Sequence, residues 1–86
     1  MKISFYSNIR DYTSGEKTFE TEDTGCVSSL IDILGERFGE KLKNFLLGEN
    51  NCFILVNGKG IMTTGGLATT LHPDDKIDVL PFVGGG

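Results

Sequence analysis

Residues 27 to 38 carry the pattern that most restricts the fold. Val27, Leu30, Ile31, Leu34 and Phe38 are spaced 3, 1, 3 and 4 apart, which puts them on one stripe of an α-helix. Ser28 or Ser29 can cap its start, and Ser29 with Asp32 imitates a capping box with a shorter acid. Gly35 and Gly39 each weaken a helix interior by about 1 kcal/mol relative to Ala, so the helix is predicted to end near Gly39. Leu42, Phe45 and Leu46 continue an apolar spacing through KLKNFLLG, which predicts a short second helical turn closed by Gly48.

The segments on either side read as strands. Lys2 to Tyr6 alternates, with Ile3 and Phe5 on one face, as a half-buried strand should. Asp11 to Gly15 is turn-rich and Glu16 to Glu22 alternates again, so the two runs predict an N-terminal hairpin with a long turn. Cys52 to Val56 is a continuous apolar run, expected at the centre of a sheet. Asn57-Gly58 is the strongest two-residue hairpin signal and leads into Lys59 to Met62. A Gly- and Thr-rich loop, residues 63 to 70, and a turn at His72-Pro73-Asp74-Asp75 precede a last strand from Lys76 to Phe82. Strands enclosing one main helix, with no repeating βα unit, define an α+β domain: a mixed four- to five-stranded sheet with the helix packed across one face. The expected division is a folded body at 1–82 and a flexible tail at 83–86.

Size and charge narrow the function. A chain of 86 residues buries roughly 60–65% of its unfolded surface and leaves no room for two lobes around a cleft. That favours a binding module, carrier or small subunit over a stand-alone enzyme. The net charge of −4 and the scattered Lys and Arg argue against nucleic acid, which needs clustered basic groups. Cys26 and Cys52 could form at most one disulfide, lack CxxC spacing, and have only His72 beside them, too few ligands for a structural zinc. Both read as small core positions, with Cys26 placed just before a helix, where a thiolate is stabilised. The apolar stretch at the N-terminus is too short for a signal peptide and no run reaches membrane-spanning length. A cytoplasmic location without membrane partners is the expectation.

Candidate catalytic motifs do not survive inspection. Gly58-Lys59-Gly60 lacks the GxxxxGK[ST] spacing of a phosphate loop and is explained by hairpin chemistry. His72 sits beside Pro73 in a turn with no nucleophile in view. Glu16, Glu20 and Glu22 are read as solubilising, and Asp74 and Asp75 as ordinary turn acids. The body is therefore expected to be non-catalytic, with no metal and no bound cofactor.

The last strand is more informative. If Ile77 and Val79 are its buried face, Asp78, Leu80 and Phe82 point the other way. Leu80 and Phe82 then pack under the loop at 63–70, or Pro81 breaks the alternation, or they form a docking patch, since exposed apolar surface usually marks a contact. Directly behind them come Val83-Gly84-Gly85-Gly86. Glycine has no Cβ and lets a partner close around the main chain. Four extended residues reach about 13 Å at ~3.3–3.6 Å each, enough to enter another protein's active site. A terminal carboxylate is a poor electrophile until converted to a mixed anhydride with AMP. The tail reads as a substrate arm.

With Ile54-Leu55-Val56-Asn57-Gly58-Lys59, then Leu71, then Asp75-Lys76-Ile77-Asp78-Val79, then Pro81, Val83 and Gly85-Gly86, the chain resembles the ubiquitin-like β-grasp sulfur carriers. That family includes the molybdopterin synthase small subunit and the thiamine-pathway sulfur carrier. Two positions depart from its pattern: Asp74 stands where Gly is usual, and Phe82 replaces a second Pro. The resemblance implies a β-grasp fold and a two-stage chemistry. An ATP-dependent adenylating enzyme of the ubiquitin-activating type would attach AMP to the Gly86 carboxylate, and a sulfur donor would displace it to leave a thiocarboxylate. Gly86 would carry the reaction with Gly85 beside it. Gly84, Val83, Phe82, Pro81 and Leu80 would meet the partner, and ATP would be consumed by the activating enzyme. The segment Glu40 to Asn51 favours the molybdopterin type, whose partner is the large subunit of molybdopterin synthase. A modifier joined to target lysines through its di-glycine, and a thiamine-type or other carrier, are the alternatives; an inert β-grasp domain is a third.

Overall fold

The computed structural model describes residues 1–22, 25–48 and 51–82. Seven elements follow one another: β1 (Lys2–Phe5), β2 (Thr18–Glu20), α1 (Val27–Phe38), α2 (Glu40–Leu47), β3 (Cys52–Val56), β4 (Lys59–Gly60) and β5 (Lys76–Pro81). The strands form one mixed sheet in the order β2-β1-β5-β3-β4. Only β1 and β5 run parallel; the other neighbours are antiparallel. This is the β-grasp arrangement, an α+β architecture with five strands.

One face of the sheet is dry. Ile3 and Phe5 of β1, Ile54 and Val56 of β3, and Ile77 and Val79 of β5 join Val27, Leu30, Ile31 and Leu34 of α1 in a single buried cluster. The period-2 and period-3.6 apolar patterns thus meet in one core. Phe38, last on the helical stripe, stands edge-on to Phe5 at 5.6 Å and to Phe19 at 5.7 Å between ring centroids.

The centre of the sheet is β5, not the apolar run of β3. Cys52 to Val56 is continuously apolar because Phe53 and Leu55 serve the outer face, not because both faces are covered. The β4 strand ends at Gly60, and a 3-10 turn at Ile61–Thr63 replaces the expected continuation to Met62. The β1–β2 connection holds a 3-10 helix, Ser7–Tyr12. Buried Thr13 closes it, its hydroxyl donating to the Glu16 carbonyl at 2.7 Å.

Neither Ser28 nor Ser29 caps α1: the cap position is Cys26, which makes no side-chain cap bond. The second helical segment is also longer than one turn, running for eight residues. Gly39 separates the helices at φ +111°, in the region that penalises a Cβ. Behind it the helices close up: Lys43 Nζ lies 3.0 Å from Asp32 Oδ1, and Tyr12 stacks on Phe45 at 4.7 Å.

Candidate functional site

The predicted site falls where β5 leaves the sheet. Leu80 pairs with Phe53 and Pro81 with Cys52. Opposite residues of an antiparallel ladder project to the same face, so Leu80 and Phe53 share the outer side. Pro81 is tolerated because its missing N–H faces away from β3, beyond the point where β1 has ended, so no ladder bond is lost. Phe82 donates its backbone N–H to Asn51 at 3.0 Å, and its ring lies 5.0 Å from that of Phe53. The two rings remain 41% and 48% exposed. Of the predicted partner-binding residues, Leu80, Pro81 and Phe82 are thus gathered at one corner. Val83, Gly84, Gly85 and Gly86 lie outside the described residues.

The structure enlarges this patch with residues the sequence did not single out. Leu47 at the end of α2, Met62 in the 3-10 turn and Leu67 in the following loop are all exposed, and with Phe53 and Phe82 they line a groove of about 370 Å³. Phe82 therefore belongs to an apolar surface that the 63–70 loop borders rather than covers, and Leu80 lies opposite Phe53 beside it. Phe53 had one detectable signal: its register opposite Leu80 follows once Asp78 is set facing outward. Met62 and Leu67 lie in irregular chain with no periodicity to read. Asp78 is half-buried on the outer face and accepts a hydrogen bond from the Tyr6 hydroxyl at 3.0 Å.

Away from this corner, the Asn57-Gly58 hairpin is tied to the turn before β5. Asn57 Nδ2 donates to Asp75 Oδ1 at 2.9 Å, the Lys76 N–H donates to Asn57 Oδ1 at 3.0 Å, and the His72 N–H donates to Asp75 Oδ2 at 2.8 Å. Burial acts against ionisation of Asp75, but the Asn57 and His72 bonds prevail and hold its carboxyl below the usual value. Lys59 and the exposed His72 flank that network together with Thr64, Thr69 and Thr70. Both cysteines are free. Cys26 Sγ lies 3.2 Å from Ser28 Oγ, which lowers its pKa to about 7, whereas burial raises Cys52 to about 11. Among the described residues no three His, Cys, Asp or Glu side chains gather as metal ligands. Among the same residues no helix is long and apolar enough to cross a membrane.

The sheet order and the outward apolar corner define a ubiquitin-like β-grasp protein. The sequence model of the ThiS family matches residues 3–86, and the chain belongs to that family of small ubiquitin-like sulfur carriers and modifiers. Solved structures agree. A chain of the Amycolatopsis orientalis BexX/CysO complex is 26% identical, with a TM-score of 0.81 over 99% of this chain and 98% of that one. The small archaeal modifier protein 1 of Methanosarcina acetivorans is 28% identical, with a TM-score of 0.72 over 99% and 94%. A Pyrococcus furiosus protein described as a molybdopterin converting factor, subunit 1, is 25% identical, with a TM-score of 0.71 over 95% of each chain. No curated protein matches in sequence.

Proposed function

We propose that the chain is a sulfur carrier activated at Gly86. The carboxylate oxygen attacks the α-phosphorus of ATP held by an adenylating partner, and pyrophosphate leaves. Hydrosulfide supplied by a donor then attacks the acyl carbon, AMP departs with the bonding pair, the S–H proton is lost to water, and Gly86 carries a thiocarboxylate. Gly85 and Gly84 give the narrow approach, while Val83, Pro81, Leu80 and Phe82 meet the partner. ATP is the partner's substrate, and the chain holds no cofactor of its own. The observation that carries this reading is the family match, which extends through the terminal glycines to Gly86.

For the acceptor we assign the large subunit of molybdopterin synthase. The reading rests on the segment between α1 and β3, where α2 occupies Glu40–Leu47, and on the likeness to the Pyrococcus furiosus protein. A cytoplasmic setting accords with two free thiols. A second reading, a modifier conjugated to lysines, is supported by the 28% identity to the archaeal modifier. One incubation separates them: the chain, ATP, the adenylating enzyme of its own genome and a sulfur donor, followed by intact mass. A gain equal to exchanging one oxygen for sulfur is expected. Isopeptide-linked products would favour the modifier, and an unchanged mass with no conjugates would sink both.

A further inference from the structure

The groove beside Phe53 contains an unpaired sheet edge. Asn57 donates to the Lys76 carbonyl at 2.8 Å and Phe82 to the Asn51 carbonyl at 3.0 Å. These two bonds fix the ladder: residues 51, 53, 55 and 57 direct their backbone groups at β5. Alternation then sends the N–H and C=O of Cys52, Ile54 and Val56 to the opposite side. Val56 meets Lys59 of β4 there, but β4 ends at Gly60, opposite Leu55. The Leu55–Gly60 pairing engages the Ile54 carbonyl with Ile61, and among the described residues no strand continues past that point, so both backbone groups of Cys52 and the N–H of Ile54 face the groove. Their side chains face the core, so only the edge itself is offered.

The walls of the groove favour one kind of occupant. Leu46 and Leu47 of α2, Ile61, Met62 and Leu67 of the following loop, and Phe53 with Phe82 line it. No charged residue lines it. Met62 is 88% exposed, an unusual place for a long apolar side chain unless something covers it. A helix would satisfy none of the free edge groups, and a small molecule has no alternating donors and acceptors to match them. An extended peptide does both, with main-chain bonds to the edge and alternate side chains against the walls.

We propose that the edge of β3 at Cys52–Ile54 is a docking site for a short, uncharged, apolar segment of a partner protein, which adds to the sheet as a sixth strand. Phe82 lines the groove and directly precedes residues 83–86 in sequence, so a partner holding this strand also meets the point where the tail begins.

A phage-displayed library of random heptapeptides, selected on the full chain, supplies the probe, and amide exchange by NMR reads the site. Selected peptides should be rich in Val, Ile, Leu and Phe. They should slow exchange at Cys52 and Ile54, while Phe53 and Leu55, already bonded to β5, are protected with or without peptide. Met62→Glu with Leu67→Glu should weaken those peptides at least about tenfold, and Glu16→Lys should leave them unchanged. The proposal is overturned if no peptide is selected, or if selected peptides bind without protecting Cys52 and Ile54. It is equally overturned if sedimentation shows the free chain dimerising with those two amides protected, since the occupant is then a second copy.

Discussion

The two thiols differ by environment alone. Cys26 sits at the start of α1 with the Ser28 hydroxyl 3.2 Å away, and its pKa falls to about 7; Cys52 is half-buried against the core and rises to about 11. Thiolate is the reactive form, so iodoacetamide at neutral pH should alkylate Cys26 first, with half-maximal rate near pH 7. Ser28→Ala removes the largest cause and should move that midpoint upward; peptide mass spectrometry showing both cysteines reacting together would refute the assignment. Because the folded value lies below the unfolded one, the thiolate's contribution to stability is complete above pH 9.0 and is lost as pH falls through about 7. Asn57 is a second residue whose surroundings decide its role. It holds φ at +52° and ties two turns together through Asp75 and Lys76. Asn57→Ala should cost about 1–3 kcal/mol in urea unfolding, from strain and lost bonds, and Asn57→Gly less. Asp75 titrates below its usual 3.8, so its stabilisation is present above that value and fades as pH drops beneath it; Asn57→Ala should flatten this acid limb. The Asn-Gly dipeptide made the turn legible from sequence, but not its link to Asp75, which joins residues 18 apart.

Among the elements, α1, the hairpin and β5 were readable because each carries a strong period or turn pair. The strand order was not, since an apolar run such as Cys52–Val56 looks alike at the middle of a sheet and one place from its edge. The helix start was misplaced because two serines offered hydroxyls that turn instead toward the Cys26 sulfur. Two glycines allow the α1–α2 corner for different reasons. Gly39 requires positive φ, so Gly39→Ala should destabilise by about 1–2 kcal/mol. At Gly35 an added Cβ would come within 3.0 Å of Lys43 Cδ, which can shift, and 3.1 Å of Lys43 Cβ, which moves only with α2. Gly35→Ala offsets that crowding with up to ~1 kcal/mol of helix propensity, so its net loss should be smaller than that of Gly39→Ala. Equal losses for the two variants in urea titrations would show that the corner is governed by packing and not by backbone conformation.

At the scale of the whole molecule the two sheet faces divide the labour. Every buried apolar residue of the described core lies from Ile3 to Val79, so the core is complete before β5 ends at Pro81. Phe53 and Phe82 stay exposed on the opposite face, and Leu47, Met62 and Leu67 stay exposed around the groove at the edge of β3. Shortening the chain by Gly85 and Gly86 should therefore leave the unfolding free energy in urea within about 0.5 kcal/mol of the full chain and abolish thiocarboxylate formation. Phe53→Ala and Phe82→Ala should act differently: they retain Gly86 and slow its activation by weakening docking, raising the KM for the carrier more than they lower kcat. Equal loss of kcat in those variants would mean that the rings position the reacting carboxylate rather than hold the partner. A lowered urea midpoint after the two-residue deletion would show instead that the tail contributes to the fold, and the separation of body from arm would fail.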